Sequence, residues 1–337
     1  MSPRRLLVAA AAALLPAALS LSPVVAAAEP APSAPSTTSR AALPDHQLTG
    51  YWQNFVNNAP PLRVSDIPSN YDLVALAFAQ SDPTAAGAVT FGVDSGLSSA
   101  LGGYTDADLK ADIAAKQAAG TDFVLSIGGA KGSVDLSSAS NVTRFVDSVS
   151  KIINDYGLDG VDIDIEHGLD VDGVTSAVRQ LHQRFGDDFV LTMAPQTLHV
   201  QPGGSYLQLI KNVQDIITVV HTQYYNSGSM LGCNGNVHSQ GSVDFITAQA
   251  CILLRTLRPD QVSLGLPATP SAAGSGYVAP SVITSALDCL AAATRCGQYV
   301  PERPTPTISG VMTWSINWDV GSGNAFSDPI RAHLDSL

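Results

Sequence analysis

Apolar residues gather into runs of strand length at eight places along the chain. These are "QLTGYWQNF" (47–55), "YDLVALAFA" (71–79), "DFVLSIGGA" (122–130), "GVDIDIE" (160–166), "FVLTMAPQ" (189–196), "VVHTQYYN" (219–226), "VSLGLPA" (262–268) and "GVMTWSINWD" (310–319). Such short runs, rich in β-branched and aromatic side chains, predict buried strands. Between most of them the apolar spacing turns helical. Thr105 and Asp108 make a capping-box start for a helix over 105–120, with Gly120 as its stop. Over 141–157, Val142, Phe145, Val146, Val149, Ile152 and Ile153 fall on one stripe that ends at Gly157. Segments 172–186 and 242–257 behave alike, and the least regular connection is 56–70.

Strands alternating with helices imply a parallel sheet with right-handed crossovers, and eight of them predict an α/β fold of the (β/α)8 barrel type. An open doubly wound sheet is the competing arrangement. It would want a glycine-rich phosphate loop after the first strand, and "YWQNFVNN" has none. A barrel keeps its chemistry at the C-terminal ends of its strands. "SIGG", "DIDIE", "MAPQ", "QYYN" and "TWSINWD" stand there, at strands three, four, five, six and eight. Trp52, Trp314 and Trp318 all fall on the first and eighth predicted strands, neighbours once the barrel closes, and suggest a stacking platform for a sugar face.

The N-terminus changes the picture of where the protein works. Residues 1–28 carry Arg4 and Arg5, an apolar run and Ala26-Ala27-Ala28, the make-up of a secretory signal peptide cleaved after Ala28. Pro16 and Pro23 interrupt the run and argue against a transmembrane anchor. Residues 29–45 are rich in Pro, Ala and Ser and read as a disordered leader, which leaves 46–337 as one catalytic barrel. Removing the signal takes away two arginines and no acid, so the formal charge moves from −12 to −14. An acidic chain with no basic cluster argues against nucleic acid and anionic membrane as partners, and leaves a neutral polysaccharide open. A secreted, extracellular monomer is expected. Four cysteines in an exported chain suggest two structural disulfides, and nearest-neighbour pairing gives Cys233–Cys251 and Cys289–Cys296. Their spacing has no CxxC element and does not suggest zinc.

The fourth strand holds the chemistry. In "LDGVDIDIEHG" (158–168), Asp162, Asp164 and Glu166 alternate with Val161, Ile163 and Ile165. Alternation along a strand puts the three acids on one face, roughly 6.5–7 Å apart. The apolar face must meet the helices, so the acids point into the barrel. Burying them together is costly, and shared protons relieve the strain. A Mg²⁺ or Mn²⁺ site is the alternative, but no other strand end offers an obvious further ligand set, so no metal and no cofactor are expected. His167 should point away by alternation. A raised pKa suits a general acid, and Glu166, last on the strand, is best placed to meet a substrate. Asp164 and Glu166 project the same way from one strand and cannot flank a glycosidic bond from opposite sides. Either a carboxylate elsewhere is the nucleophile or the substrate supplies its own, as an N-acetyl group does.

"LDGVDIDIEHG" resembles the DGxDxDxE signature of glycoside hydrolase family 18. "SIGG", "MAPQ", "QYYN" and "GVMTWS" match that family's other barrel motifs in order, over nearly all of 46–337. "DIEHG" and "YW" look most like plant hevamine-type (class III) chitinases and their secreted bacterial relatives. The resemblance implies a chitinase that cuts β-1,4 bonds between N-acetylglucosamine units with retention. Chitin or its oligomers would be the substrate. Glu166 would be acid and base. Asp164 would bind the acetamido N–H, and Asp162 would share a proton with Asp164. Tyr225 would donate to the acetamido oxygen, Gln223 and Asn226 would hold that group, and Trp314 would be the floor. Tyr51, Ser126 and Met193 would line the pocket. About 40 residues separate the seventh and eighth strands, which looks too short for the extra α+β insertion of some members and implies an open groove and endo-type cutting. An endo-β-N-acetylglucosaminidase acting on N-glycans and a non-catalytic chitin-binding lectin are the alternatives. The presence of Glu166 speaks against the lectin.

Overall fold

The computed structural model describes residues 43–337. The signal peptide read at 1–28 and most of the leader lie outside the described residues. Among the described residues, eight parallel strands close a barrel. They are β1 (Gln47–Gln53), β2 (Leu73–Ser81), β3 (Asp122–Gly129), β4 (Gly160–Ile165), β5 (Val190–Met193), β6 (Val219–Gln223), β7 (Val262–Pro267) and β8 (Gly310–Trp314). Each strand pairs in parallel with its sequence neighbours. β1 pairs with both β2 and β8, which closes the ring. All eight predicted runs are strands, and in every one but the second the observed strand ends short of the predicted run.

The outer layer comprises α1 (Ser95–Ala100), α2 (Asp106–Ala118), α3 (Ala139–Tyr156), α4 (Val171–Phe185), α5 (Ser205–Val213), α6 (Val243–Leu254), α7 (Pro280–Ala292), α8 (Ile316–Gly321) and α9 (Ser327–Leu334). The predicted capping box is present at α2, where the Thr105 side chain accepts from the Asp108 N–H and the Asp108 carboxylate from the Thr105 N–H. Ser138, Asp170 and Ser242 cap α3, α4 and α6. Gly157 ends α3 in the left-handed conformation, at φ 68°. The irregular link after β1 contains only a short 3-10 turn, Val64–Asp66.

Two apolar layers follow from strand alternation. Leu48, Trp52, Leu125, Val161, Ile163, Leu191 and Val311 face outward into the cluster shared with the helices. Tyr51, Leu73, Ala75, Ala77, Val124, Val190, Ala194 and Met312 form the inner cluster. Leu43 packs on that inner cluster.

Two predicted features are corrected. The strand over 310–319 stops at Trp314, and the chain turns into α8, which carries Trp318 and Asp319. Trp52 is fully buried in the outer layer, and its indole N–H donates to the Leu62 carbonyl at 2.9 Å. The three tryptophans therefore form no common platform, and only Trp314 reaches the cleft. The expected disulfides are both present, Cys233–Cys251 beside a small hairpin (Ser229–Leu231 with Val237–Ser239) and Cys289–Cys296 at the end of α7. Residues between β7 and β8 form loops around α7, and no sheet is inserted there. No helix among the described residues is long and apolar enough to cross a membrane.

Candidate active site

The acids of β4 open into a cleft of about 1270 Å³ at the C-terminal end of the barrel. Its walls come from the loops after β1, β2 and β3 on one side and from residues 271–274 on the other. Asp162 is deepest and fully buried. Its Oδ2 accepts from the hydroxyls of Tyr51 and Ser126, both at 2.7 Å, and its Oδ1 from Thr192 at 2.8 Å. Asp164 comes next, accepting from the Gln223 amide at 2.9 Å. Glu166 stands just past the strand end and is half-buried. Gln196 donates to its Oε2 at 3.1 Å, and Gln223 lies 3.4 Å from its Oε1.

Burial raises the pKa of both aspartates. At Asp162 the three hydroxyl donors oppose the rise. At Asp164 the charges of Asp162 and Glu166 add to it, with only Gln223 acting against. Asp164 is therefore pushed well above the usual carboxylate range, and a proton held by the pair is favoured there. Tyr225, buried beside the same acids, is pushed well above the usual phenol range by burial first and by the Asp164 and Glu166 charges second. It remains protonated at neutral pH and lines the cleft beside Asp164 and Glu166.

Close backbone approach lets the row sit where it does. Gly128 of β3 pairs with Asp164, and a Cβ there would meet the Asp164 carbonyl oxygen at 2.3 Å. Its φ of 121° lies in a region other residues avoid. From the outer side, Tyr206 of α5 places its hydroxyl 3.2 and 3.1 Å from the carbonyls of Ile163 and Ile165, fixing the end of β4.

Trp314 lines the cleft at the end of β8. Phe78 stacks with it at 5.8 Å and 16°, Phe55 lies at 6.4 Å and 26°, and Tyr51 tilts against it at 5.6 Å. The peptide bonds Ala77–Phe78 and Trp314–Ser315 are cis.

Eight of the expected site residues are thus brought together: Asp162, Asp164, Glu166, Tyr51, Ser126, Gln223, Tyr225 and Trp314. Asn226 also lines the cleft, but its carboxamide oxygen accepts from the Ser275 N–H at 3.0 Å and ties two loops together. Met193 is misplaced. It pairs with Ile163 in the β4–β5 register and so faces outward, fully buried in the helix-side cluster. The same alternation puts Thr192 inside, on Asp162. Thr192, Gln196, Phe55, Phe78 and Tyr206 were not anticipated. Counting by twos from Thr192 would have found Gln196. Among the described residues, no group of three or more His, Cys, Asp or Glu is placed to hold a metal ion.

A closed parallel barrel with three acids along and just past β4 and an aromatic floor on β8 defines a glycoside-hydrolase-type site. The profile "Glycosyl hydrolases family 18" matches residues 47–278, and the chain belongs to that family. Exochitinase 1 of Streptomyces olivaceoviridis is 38% identical over 88% of this chain and 57% of its own length. The chain spans only 57–62% of the first curated relatives it matches, Exochitinase 1 and Chitinase Chi52 of Paenibacillus xylanexedens among them. Among solved structures, a Streptomyces coelicolor protein described as a chitinase A is 52% identical, with a TM-score of 0.84 over 87% of this chain and 99% of that one. A family GH18 chitinase from Chromobacterium violaceum is 36% identical, with a TM-score of 0.81 over 87% of this chain and 84% of that one.

Proposed function

We propose that the protein is a chitinase, hydrolysing β-1,4 bonds between N-acetylglucosamine units with retention, and that the substrate's own acetamido oxygen is the nucleophile. One observation carries this reading. The acids lining the cleft are Asp164 and Glu166, side by side from one strand, and Asp94, whose carboxylate caps α1 by accepting from the Leu97 N–H. None is a free carboxylate facing Glu166 across the cleft, as a protein nucleophile would be.

Glu166 protonates the glycosidic oxygen as the acetamido carbonyl oxygen attacks the anomeric carbon. The C1–O bond breaks, the leaving sugar departs as an alcohol, and a cyclic oxazolinium ion remains. Tyr225 donates to the acetamido oxygen. Asp164 accepts the acetamido N–H and offsets the positive charge. Glu166, now ionised, takes a proton from water as the water opens the ring. Asp162, held by three hydroxyls, lets Asp164 change partner without losing the pair's proton. Trp314 is the apolar floor under the sugar.

Cutting within the polymer is supported by the plain β7–β8 connection. Export is supported by the N-terminal pattern and by two disulfides, which persist in oxidising surroundings. The test is a product profile from N-acetylglucosamine hexamer beside a high-mannose glycoprotein. Internal cleavage of the hexamer, releasing the β-anomer first, is expected. Release of glycan from the glycoprotein alone would replace the proposed substrate with N-glycans.

A further inference from the structure

The two carboxamides around Glu166 are not equivalent. A Gln amide nitrogen carries two hydrogens. Those of Gln223 are committed to Asp164 Oδ1 and the Ala194 carbonyl, both at 2.9 Å, which leaves its 3.4 Å approach to Glu166 Oε1 without a hydrogen of its own. Gln196 has no other side-chain partner among the described residues and donates to Glu166 Oε2 at 3.1 Å. Its backbone is anchored where β5 and β6 meet. The Gln223 N–H donates to the Pro195 carbonyl at 2.9 Å, residues 196 and 223 form a parallel bridge, and the His199 N–H closes a turn on the Gln196 carbonyl at 3.0 Å. Toward an ionised Glu166, only the orientation with the amide nitrogen facing Oε2 gives a hydrogen bond.

We propose that Gln196 is a positioning residue for the acid/base: it holds Glu166 Oε2 and leaves Oε1 as the oxygen that exchanges protons with substrate and water. This rests on the reading of Glu166 as the general acid/base. A donor to one carboxylate oxygen favours the ionised form. Gln196 therefore acts most after Glu166 has given up its proton, when it must serve as base. Neutral Glu166 keeps its proton on Oε1, aimed at the glycosidic oxygen.

Gln196→Met keeps the side-chain length and removes the donor. It is expected to lower kcat on chitooligosaccharides about tenfold with KM little changed, the effect of one charge-assisted hydrogen bond. Because Gln196 acts through Glu166, the same substitution added to Glu166→Gln should cost nothing further. Gln196→Ser gives the same comparison should the methionine variant fold poorly. A folded Gln196 variant with the parent's kcat overturns the proposal, and so does an undiminished tenfold loss in the Glu166→Gln background. A fully active Glu166→Gln overturns the reading of Glu166 as acid/base instead.

Discussion

Among the described residues, carboxylates are fully buried at two places, and in opposite ways. Asp319 on α8 is fully buried, and it accepts from the Tyr71 hydroxyl at 2.7 Å and from the backbone N–H groups of Phe326 and Ser327 at 2.9 and 3.2 Å. Neutral donors surround it, and it joins the start of β2, α8 and α9. The β4 row is a stack of acids, in which the charges of Asp162 and Glu166 make Asp164 harder to ionise. Burial alone therefore marks nothing functional. Asp319 meets neutral donors alone and is a structural joint, whereas Asp164, set between two other carboxylates with one amide donor, holds a proton ready to move.

Removing one group at each place should separate the two roles. Glu166→Gln should lower kcat on chitooligosaccharides by about 10²–10⁴-fold, the usual share of general acid–base catalysis, while thermal unfolding stays close to that of the parent. A fully active variant would remove Glu166 from the mechanism. Asp319→Ala should do the reverse. It leaves buried donors without an acceptor and should cost about 3 kcal/mol in denaturant unfolding, with kcat per folded molecule nearly unchanged.

The smallest effect concerns pH. The raised pKa of Asp164 means the folded protein binds more protons than the unfolded chain above the ordinary carboxylate value near 3.8. Its contribution to stability therefore falls as pH rises through that window. Asp164→Asn has no such slope, so its stability relative to the parent should grow from pH 4 upward while activity is lost. His221 works on the other side. Burial lowers its pKa from 6.5 to about 3, so stability is lost as pH falls through that interval. Unfolding curves across pH that show Asp164→Asn gaining nothing on the alkaline side would place the proton elsewhere.

Much of this was legible in the sequence, for physical reasons that differ from element to element. A parallel barrel is made of apolar runs and amphipathic helices, so both periodicities show, and the Val/Ile alternation in β4 dictates which way its acids point. The "SINWD" stretch misled because α8 has only six residues, too few turns for a helical period to emerge from an alternating pattern. That error grouped Trp318 and Asp319 with the site. Met193 was placed by its motif rather than by its face, and the β4–β5 register turns it outward. Phe78 was invisible for another reason. The β2–β3 register shifts between Ala77 and Ala79, which breaks the period-two count at the point where the ring enters the cleft. Tyr206 reaches β4 from a helix some 40 residues downstream, a contact that no local pattern encodes.

A fully N-acetylated glucosamine hexamer and its fully deacetylated counterpart, offered at equal concentration to the same enzyme, test the central claim most directly. The acetylated chain should be cleaved and the deacetylated chain left essentially intact, since only the former carries an oxygen able to attack its own anomeric carbon. Equal rates on the two would mean that the protein supplies the nucleophile after all.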